Sequence, residues 1–287
     1  MVEKTLKHAL DLWQNNEKSQ AVSLLEEFDE KEYNSQIVLQ LLNFYHELNM
    51  NKKLIKLVEN QKHFNVHYWH SYYQALLAEK EFMKARQLIC KSKNNLLHIS
   101  KQDKLAEIKV VEQDYRNDFP KTISEIQKAF FNIGGQPLEK QNQILQKANY
   151  LDMTSYLNVA KIILVSPFLN QFTRVSILNI IFEAGYRHTV EYQWVNQTNL
   201  KVSYDDWLES QAFKTNILNE IDEISDDISK LSIIKQQVNI QLGIVSPFPN
   251  KIFANEKEWL KNIKLLYIDG MPSKLSNVDR IISENMM

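Results

Sequence analysis

Residues 68–92 read YWHSYYQALLAEKEFMKARQLICKS, and the division of this stretch into two apolar stripes decides the fold. Trp69, Tyr72, Tyr73 and Leu76 recur at spacings of three and four, which places them on one face of an α-helix. After a short polar link, Ala85, Ile89 and Ser92 repeat that spacing. The stretch is therefore a helix hairpin. Working outward, Leu54, Val58 and Gln61 match Ala85, Ile89 and Ser92, and so do Ala21, Leu25 and Phe28, so equivalent positions return about every 32 residues. A helical unit repeated at that interval cannot bury its apolar face alone, and stacking of neighbours supplies the core. The apolar periodicity predicts helices over 2–14 and 17–28, over 35–47 and 51–61, and over 66–79 and 82–93. These make three pairs, the minimum for a stable stack.

The third pair carries a family resemblance. Trp69-x2-Tyr72-Tyr73-x2-Leu76 followed by Ala85-x3-Ile89 resembles the tetratricopeptide pattern of a Trp, packed positions, an aromatic and then an Ala. The resemblance covers residues 2–95 and implies a right-handed superhelical stack of antiparallel helix hairpins. Ala9 fills the family's small position at the close helix crossing in the first pair. Leu42 and Tyr73 fill it in the later pairs, and the family's terminal Pro is absent from all three, which implies wider packing there. A broader likeness, to bacterial tetratricopeptide-like proteins with a helical C-terminal half of uncharacterised function, rests on Pro167-Phe168-Leu169-Asn170 through Ser176-Ile177-Leu178. It implies no particular activity.

Two further helices between 100 and 131 are expected to extend the stack. Gly134-Gly135-Gln136-Pro137 then ends it, since paired glycines before a proline break a helix. The sequence thus divides into a repeat domain over 1–133 and a C-terminal helical domain over 134–287. In the latter, helices are expected at 138–148, 153–165, 171–184, 205–225, 228–242 and 256–267. Between them, alternation over Thr189 to Val195 and Leu200 to Ser203 predicts a β-hairpin, with Val190, Tyr192 and Trp194 on one face. Val165-Ser166-Pro167-Phe168-x-Asn170 returns as Val245-Ser246-Pro247-Phe248-x-Asn250, which reads either as the same stop signal used after two apolar helices or as a duplicated helical unit.

Composition bounds the function. The chain has 287 residues, 44% of them apolar and 24% charged, with a formal charge of −1 and five glycines. No run of about 18 apolar residues is present to span a bilayer. The Lys and Glu residues are interspersed and make no basic stripe, so neither a membrane nor a nucleic acid is an expected partner. The single Cys90 and the absence of a signal peptide lead to an expectation of the cytoplasm.

Local chemistry is sparse. His63, His67 and His70 fall at i, i+4 and i+7, but no Cys or carboxylate completes a zinc set, so no metal is expected. Gly134-Gly135-Gln136 has the letters of the release-factor tripeptide, yet it leads into an ordinary helix start without basic surroundings. The acidic pairs Glu26-Glu27 and Asp226-Asp227 point about 100° apart on a helix, and neither pair converges as an acid and base would. Cys90 reads as a small filler and Asn196-Gln197-Thr198 as hairpin-turn chemistry. No phosphate loop, nucleophile elbow or His-Glu-x-x-His helix occurs. Neither a catalytic residue nor a cofactor is predicted.

What remains is a surface. In a stack of hairpins the first helix of each pair lines the concave face. Its candidate residues are Gln36, Leu39, Asn43 and His46 from the second pair and His67, His70 and Gln74 from the third, with Glu3, Leu6 and Leu10 from the first. This lining is neutral and rich in amides, which suits a peptide or a helix of another protein better than a phosphate. Lys4 and Asn43 would be fragments of the family's carboxylate clamp, but His70 and Gln74 stand where it needs cations. The expected function is a non-enzymatic adaptor that binds another protein or peptide. The alternatives are an enzyme with a site between the halves, near Tyr192, Trp194 and Asp205, and a homodimer joined through exposed Trp and Tyr.

Overall fold

Each link inside the three expected hairpins is built by the same turn. In the computed structural model, Asn16, Asn49 and Lys80 adopt left-handed backbone, with φ of 64°, 54° and 63°. Asn16 N–H donates to Trp13 O, Asn49 N–H to His46 O and Lys80 N–H to Leu77 O. The next residue in each case reaches further back: Glu17 N–H to Leu12 O, Met50 N–H to Tyr45 O and Glu81 N–H to Leu76 O. This paired capping satisfies carbonyls that a helix end otherwise leaves open, and the left-handed residue reverses the chain. The structure describes residues 1–31, 33–61, 68–92, 100–222, 227–253, 257 and 259–261.

The turns separate α1 (Val2–Gln14) from α2 (Lys18–Lys31), α3 (Ser35–Glu47) from α4 (Asn51–Glu59), and α5 (Trp69–Ala78) from α6 (Phe82–Lys91). Each of these helices packs on the next, α1 also packs on α3, and α3 on α5. α7 (Lys101–Asp118) follows, and Ile108 joins the same core. The repeated positions are those the core needs. Ala21, Leu25, Leu54, Val58, Ala85 and Ile89 are all buried. Ser92, which completes the third set, accepts a hydrogen bond from Trp69 Nε1 at 2.6 Å, and so a polar side chain sits in the core without an unmet group. Trp13 stacks on Phe44 with ring centroids 3.8 Å apart, which ties α1 to α3.

The chain forms two compact units, Met1–Tyr115 and Arg116–Met287. The division falls before the Gly134-Gly135 turn at which the sequence reading placed it. The reason is α8 (Pro120–Phe131), which packs on α9 (Leu138–Ala148) and α10 (Met153–Ile163). Phe130 on α8 lies against Tyr156 on α10, centroids 4.8 Å apart. The turn itself is a short 3-10 segment, Ile133–Gly135, with Gly134 close against the backbone of Phe168 and Leu169.

At the centre of the second unit is α11 (Gln171–Glu183), which touches α9, α10, α12 (Tyr204–Asp222) and α13 (Ile228–Val245). Its buried residues, among them Gln171, Thr173, Arg174, Val175, Ile177 and Leu178, fall on all sides of the helix, as they must where others surround it. Asn170 caps it by accepting from Phe172 N–H at 2.9 Å, and Gly185, with φ 100°, closes its end. The β-hairpin is present as β1 (Val190–Gln193) and β2 (Asn199–Val202), antiparallel, with Val190 facing Val202 and Tyr192 facing Leu200. Val190 and Tyr192 are buried and Glu191 is exposed, as the expected alternation has it, but Gln193 is buried as well, where Arg174 holds it. The last expected helix, 256–267, lies for the most part outside the described residues.

One charged side chain organises this core. Arg174 is buried, and Nη1 donates to Gln171 Oε1 at 2.7 Å. Nη2 donates to Ser166 O at 2.6 Å, Leu169 O at 3.0 Å and Gln193 Oε1 at 3.0 Å. Gln171 Nε2 in turn donates to Tyr192 OH and Ile244 O, and Tyr192 OH donates to Ser246 O at 3.3 Å. The two Val-Ser-Pro-Phe turns are thereby wired to one network. They differ in setting: Pro247 is buried, whereas Pro167 and Phe168 are exposed.

Candidate functional site

The two sides of the first unit differ in chemistry. On the second helices of the hairpins, ion pairs recur with the period of the turns. Glu26 Oε1 on α2 accepts from Lys53 Nζ on α4 at 2.7 Å, and Glu59 Oε1 on α4 accepts from Lys84 Nζ on α6 at 2.8 Å. Arg86 on α6 then pairs with Glu112 on α7. The Tyr45 hydroxyl also donates to Glu26, at 2.6 Å. Burial opposes the charge of Glu26, but the bonds from Lys53 and Tyr45 outweigh it and hold its carboxyl below the usual range. Burial, reinforced by Glu26, pushes the Tyr45 phenol far above its ordinary value. These groups are mutually satisfied.

The first helices present a different surface. On α3 the buried positions are Ile37, Val38, Leu41, Leu42, Phe44 and Tyr45, which leaves Gln36, Leu39, Asn43 and His46 exposed along one stripe. Asn34 starts that helix by accepting from Gln36 N–H at 2.9 Å and Ile37 N–H at 3.3 Å, and this cap sets which positions face outward. On α5, His70 is exposed and Gln74, one turn on, is half-buried. On α1, Glu3 is exposed, Leu6 packs against the core, and Leu10 remains 40% exposed, matched by Leu39 at 39%. No side-chain hydrogen bond or ion pair engages Gln36, Asn43, His46, His70 or Gln74 among the described residues. His67, with His63, lies outside those residues.

This face can do limited chemistry. Amides and imidazoles offer neutral donors and acceptors at fixed spacings, and the half-exposed leucines offer apolar contact. No group of three or more His, Cys, Asp or Glu side chains that could hold a metal occurs among the described residues. Of the residues of the expected alternative site, Tyr192 is buried in the Arg174 network, and Trp194 Nε1 donates to Val245 O at 2.8 Å. Asp205 is exposed. Trp69 is buried, so it does not serve as an exposed aromatic for dimer contact. No described helix is long and apolar enough to cross a membrane.

Sequence reasoning missed the ion-pair ladder, although its signal was present. Glu26 and Glu59 are as far apart as Asn16 and Asn49, and Lys53 and Lys84 as far as Asn49 and Lys80. Charge placed at the repeat interval could have been read together with the apolar stripe. Comparison of the chain with protein-family models, with curated proteins and with solved structures gives no match. The class in hand is that of a mostly α-helical protein with one small antiparallel sheet.

Proposed function

We propose that the first unit is a tetratricopeptide-like, right-handed stack whose first-helix face binds an extended or helical segment of another protein, and that the chain acts in the cytoplasm as a non-enzymatic adaptor. Three turns of one type at the sequence period, and the packing of α1 on α3 and α3 on α5, support the stack. The observation that carries the binding reading is the contrast between faces. Glu26, Lys53, Glu59 and Lys84 on α2, α4 and α6 are paired with one another, while Gln36, Asn43 and His46 of α3 and His70 and Gln74 of α5 engage in no side-chain hydrogen bond or ion pair among the described residues. Neutral amides next to half-exposed leucines match a peptide, whose backbone needs donors and acceptors and whose side chains need apolar area.

The test compares the intact chain with Asn43→Ala/His46→Ala and His70→Ala/Gln74→Ala variants, and with a Glu26→Ala/Lys53→Ala control on the opposite face. All four proteins are first checked for folding by circular dichroism. Proteins captured from native lysate are identified, and the Kd of the purified partner is then measured directly. The reading predicts a partner whose binding weakens at least about tenfold, or 1.4 kcal/mol, in the first-helix variants and is unchanged in the control. Equal binding to all four chains, or no partner at all, rejects it.

A further inference from the structure

Among the described residues, no further strand pairs with the β2 edge of the hairpin in the second unit. Trp194 N–H donates to Thr198 O at 2.7 Å, so these two residues form a hydrogen-bonded pair next to the strands. In an antiparallel ladder bonded and non-bonded pairs alternate. Continuing the register, Tyr192 with Leu200 and Val190 with Val202 are bonded pairs, and Gln193 with Asn199 and Glu191 with Lys201 are not. The backbone groups of the second set therefore point away from the ladder. On the β1 side this is borne out, because Gln193 N–H donates outward to Leu164 O at 2.9 Å. On the β2 side, the outward N–H and C=O groups of Asn199 and Lys201 meet no partner among the described residues.

A cleft of about 380 Å³ lies beside this edge. Leu200 and Lys201 both line it. Successive side chains of a strand point to opposite faces, and Leu200 lies across from buried Tyr192 on the face turned to the core. The cleft is also lined by Asp206 and Glu209 of α12 and by Pro247, Phe248 and Lys251 of the turn after α13. Phe248 is held edge-on against Trp194, centroids 5.8 Å apart, and Lys251 Nζ sits 4.4 Å over the Phe248 ring.

We propose that this cleft receives a single extended peptide strand, which adds to β2 through the outward backbone groups of Lys201 and Asn199 and rests an apolar side chain on Leu200 and Phe248. A row of free backbone donors and acceptors is complementary to another backbone. This site is independent of the first-helix face and rests on other observations.

The probe is a library of short random peptides displayed on phage and panned against the full chain, followed by Kd measurements on the enriched sequences. Lys201→Pro removes an outward N–H and leaves the β1 ladder intact, since proline is tolerated where the strand's donor faces out. Lys201→Ala removes only the side chain. Loss of one backbone hydrogen bond predicts binding about threefold to tenfold weaker in Lys201→Pro, with Lys201→Ala changed by less than about twofold. In the unaltered chain, peptide addition slows hydrogen exchange at the Asn199 and Lys201 amides. That measurement decides the matter if Lys201→Pro does not fold. Failure to enrich any sequence, equal affinity for Lys201→Pro, or unprotected amides at both positions overturns the proposal.

Discussion

Arg86 grips Glu112 through two parallel hydrogen bonds, Nε to Oε1 at 2.8 Å and Nη2 to Oε2 at 2.7 Å, with the side chains only 13% and 6% exposed. It is the most buried link in the ladder that joins α2, α4, α6 and α7, and the one where solvent screening is weakest. Arg86→Ala leaves the Glu112 charge buried without its partner, which is expected to cost about 3 to 5 kcal/mol. Arg86→Met combined with Glu112→Met removes both charges and is expected to recover most of that loss. Urea unfolding of the two variants checks this, and equal stability of the single and double variants would refute it.

Lys80 carries the left-handed turn between α5 and α6 with φ 63° and no glycine to relieve it. A side chain with Cβ is disfavoured there by roughly 1 to 2 kcal/mol, part of which glycine returns as greater freedom in the unfolded chain. Lys80→Gly is therefore expected to stabilise the protein by about 0.5 to 1 kcal/mol. Asn49→Gly, at the equivalent turn, should gain less, because asparagine tolerates this conformation. Thermal melts of both variants measure the order.

Asp152 begins α10 by accepting from Thr154 N–H at 3.1 Å and Ser155 N–H at 3.0 Å, and it pairs with Arg116. Burial opposes its charge, but Arg116 and Ser155 prevail and hold the carboxyl below the usual aspartate range. The folded group thus binds fewer protons than the unfolded one, whose pKa is about 3.9. Its stabilisation is complete above that value and is lost as pH falls through the lower, folded pKa. Asp152→Asn keeps a capping oxygen but no charge. With the Arg116 side chain 40% exposed, the expected cost is about 1 kcal/mol at neutral pH, vanishing in strong acid. Unfolding curves across pH test this, and a cost that persists at low pH contradicts it.

The Tyr156 hydroxyl is buried with no hydrogen-bond partner among the described residues, and burial pushes its pKa well above the ordinary tyrosine value. The ring packs on Phe130, so the hydroxyl adds desolvation cost without a compensating bond. Tyr156→Phe is expected to be neutral or stabilising by up to about 1 kcal/mol. A loss of more than about 1 kcal/mol on chemical unfolding would reveal a bond that this hydroxyl makes.

Local features of the first unit were legible in the chain. Ala21, Leu54 and Ala85 mark buried stripes because a helix must turn its small and aliphatic residues inward wherever it packs, and Asn16 and Asn49 mark turns because asparagine accepts left-handed backbone. Lys80 gave no such warning, since nothing in a lysine favours that geometry. The exposed stripe Gln36, Leu39, Asn43 and His46 followed from the same periodicity read on its other side.

The sequence by itself determined where the described helices and the β-hairpin fall and which apolar stripe each repeat helix buries, because these follow from spacing within a few residues of chain. Tertiary structure alone decided that α8 belongs with the second unit, that Arg174, Gln171 and Tyr192 together link the two Val-Ser-Pro-Phe turns, and that a cleft lies beside β2. Those outcomes depend on groups far apart in sequence. Gln171, for example, reaches the carbonyl of Ile244 only after the chain has closed on itself, and a contact made by closure leaves no periodic trace in the order of residues.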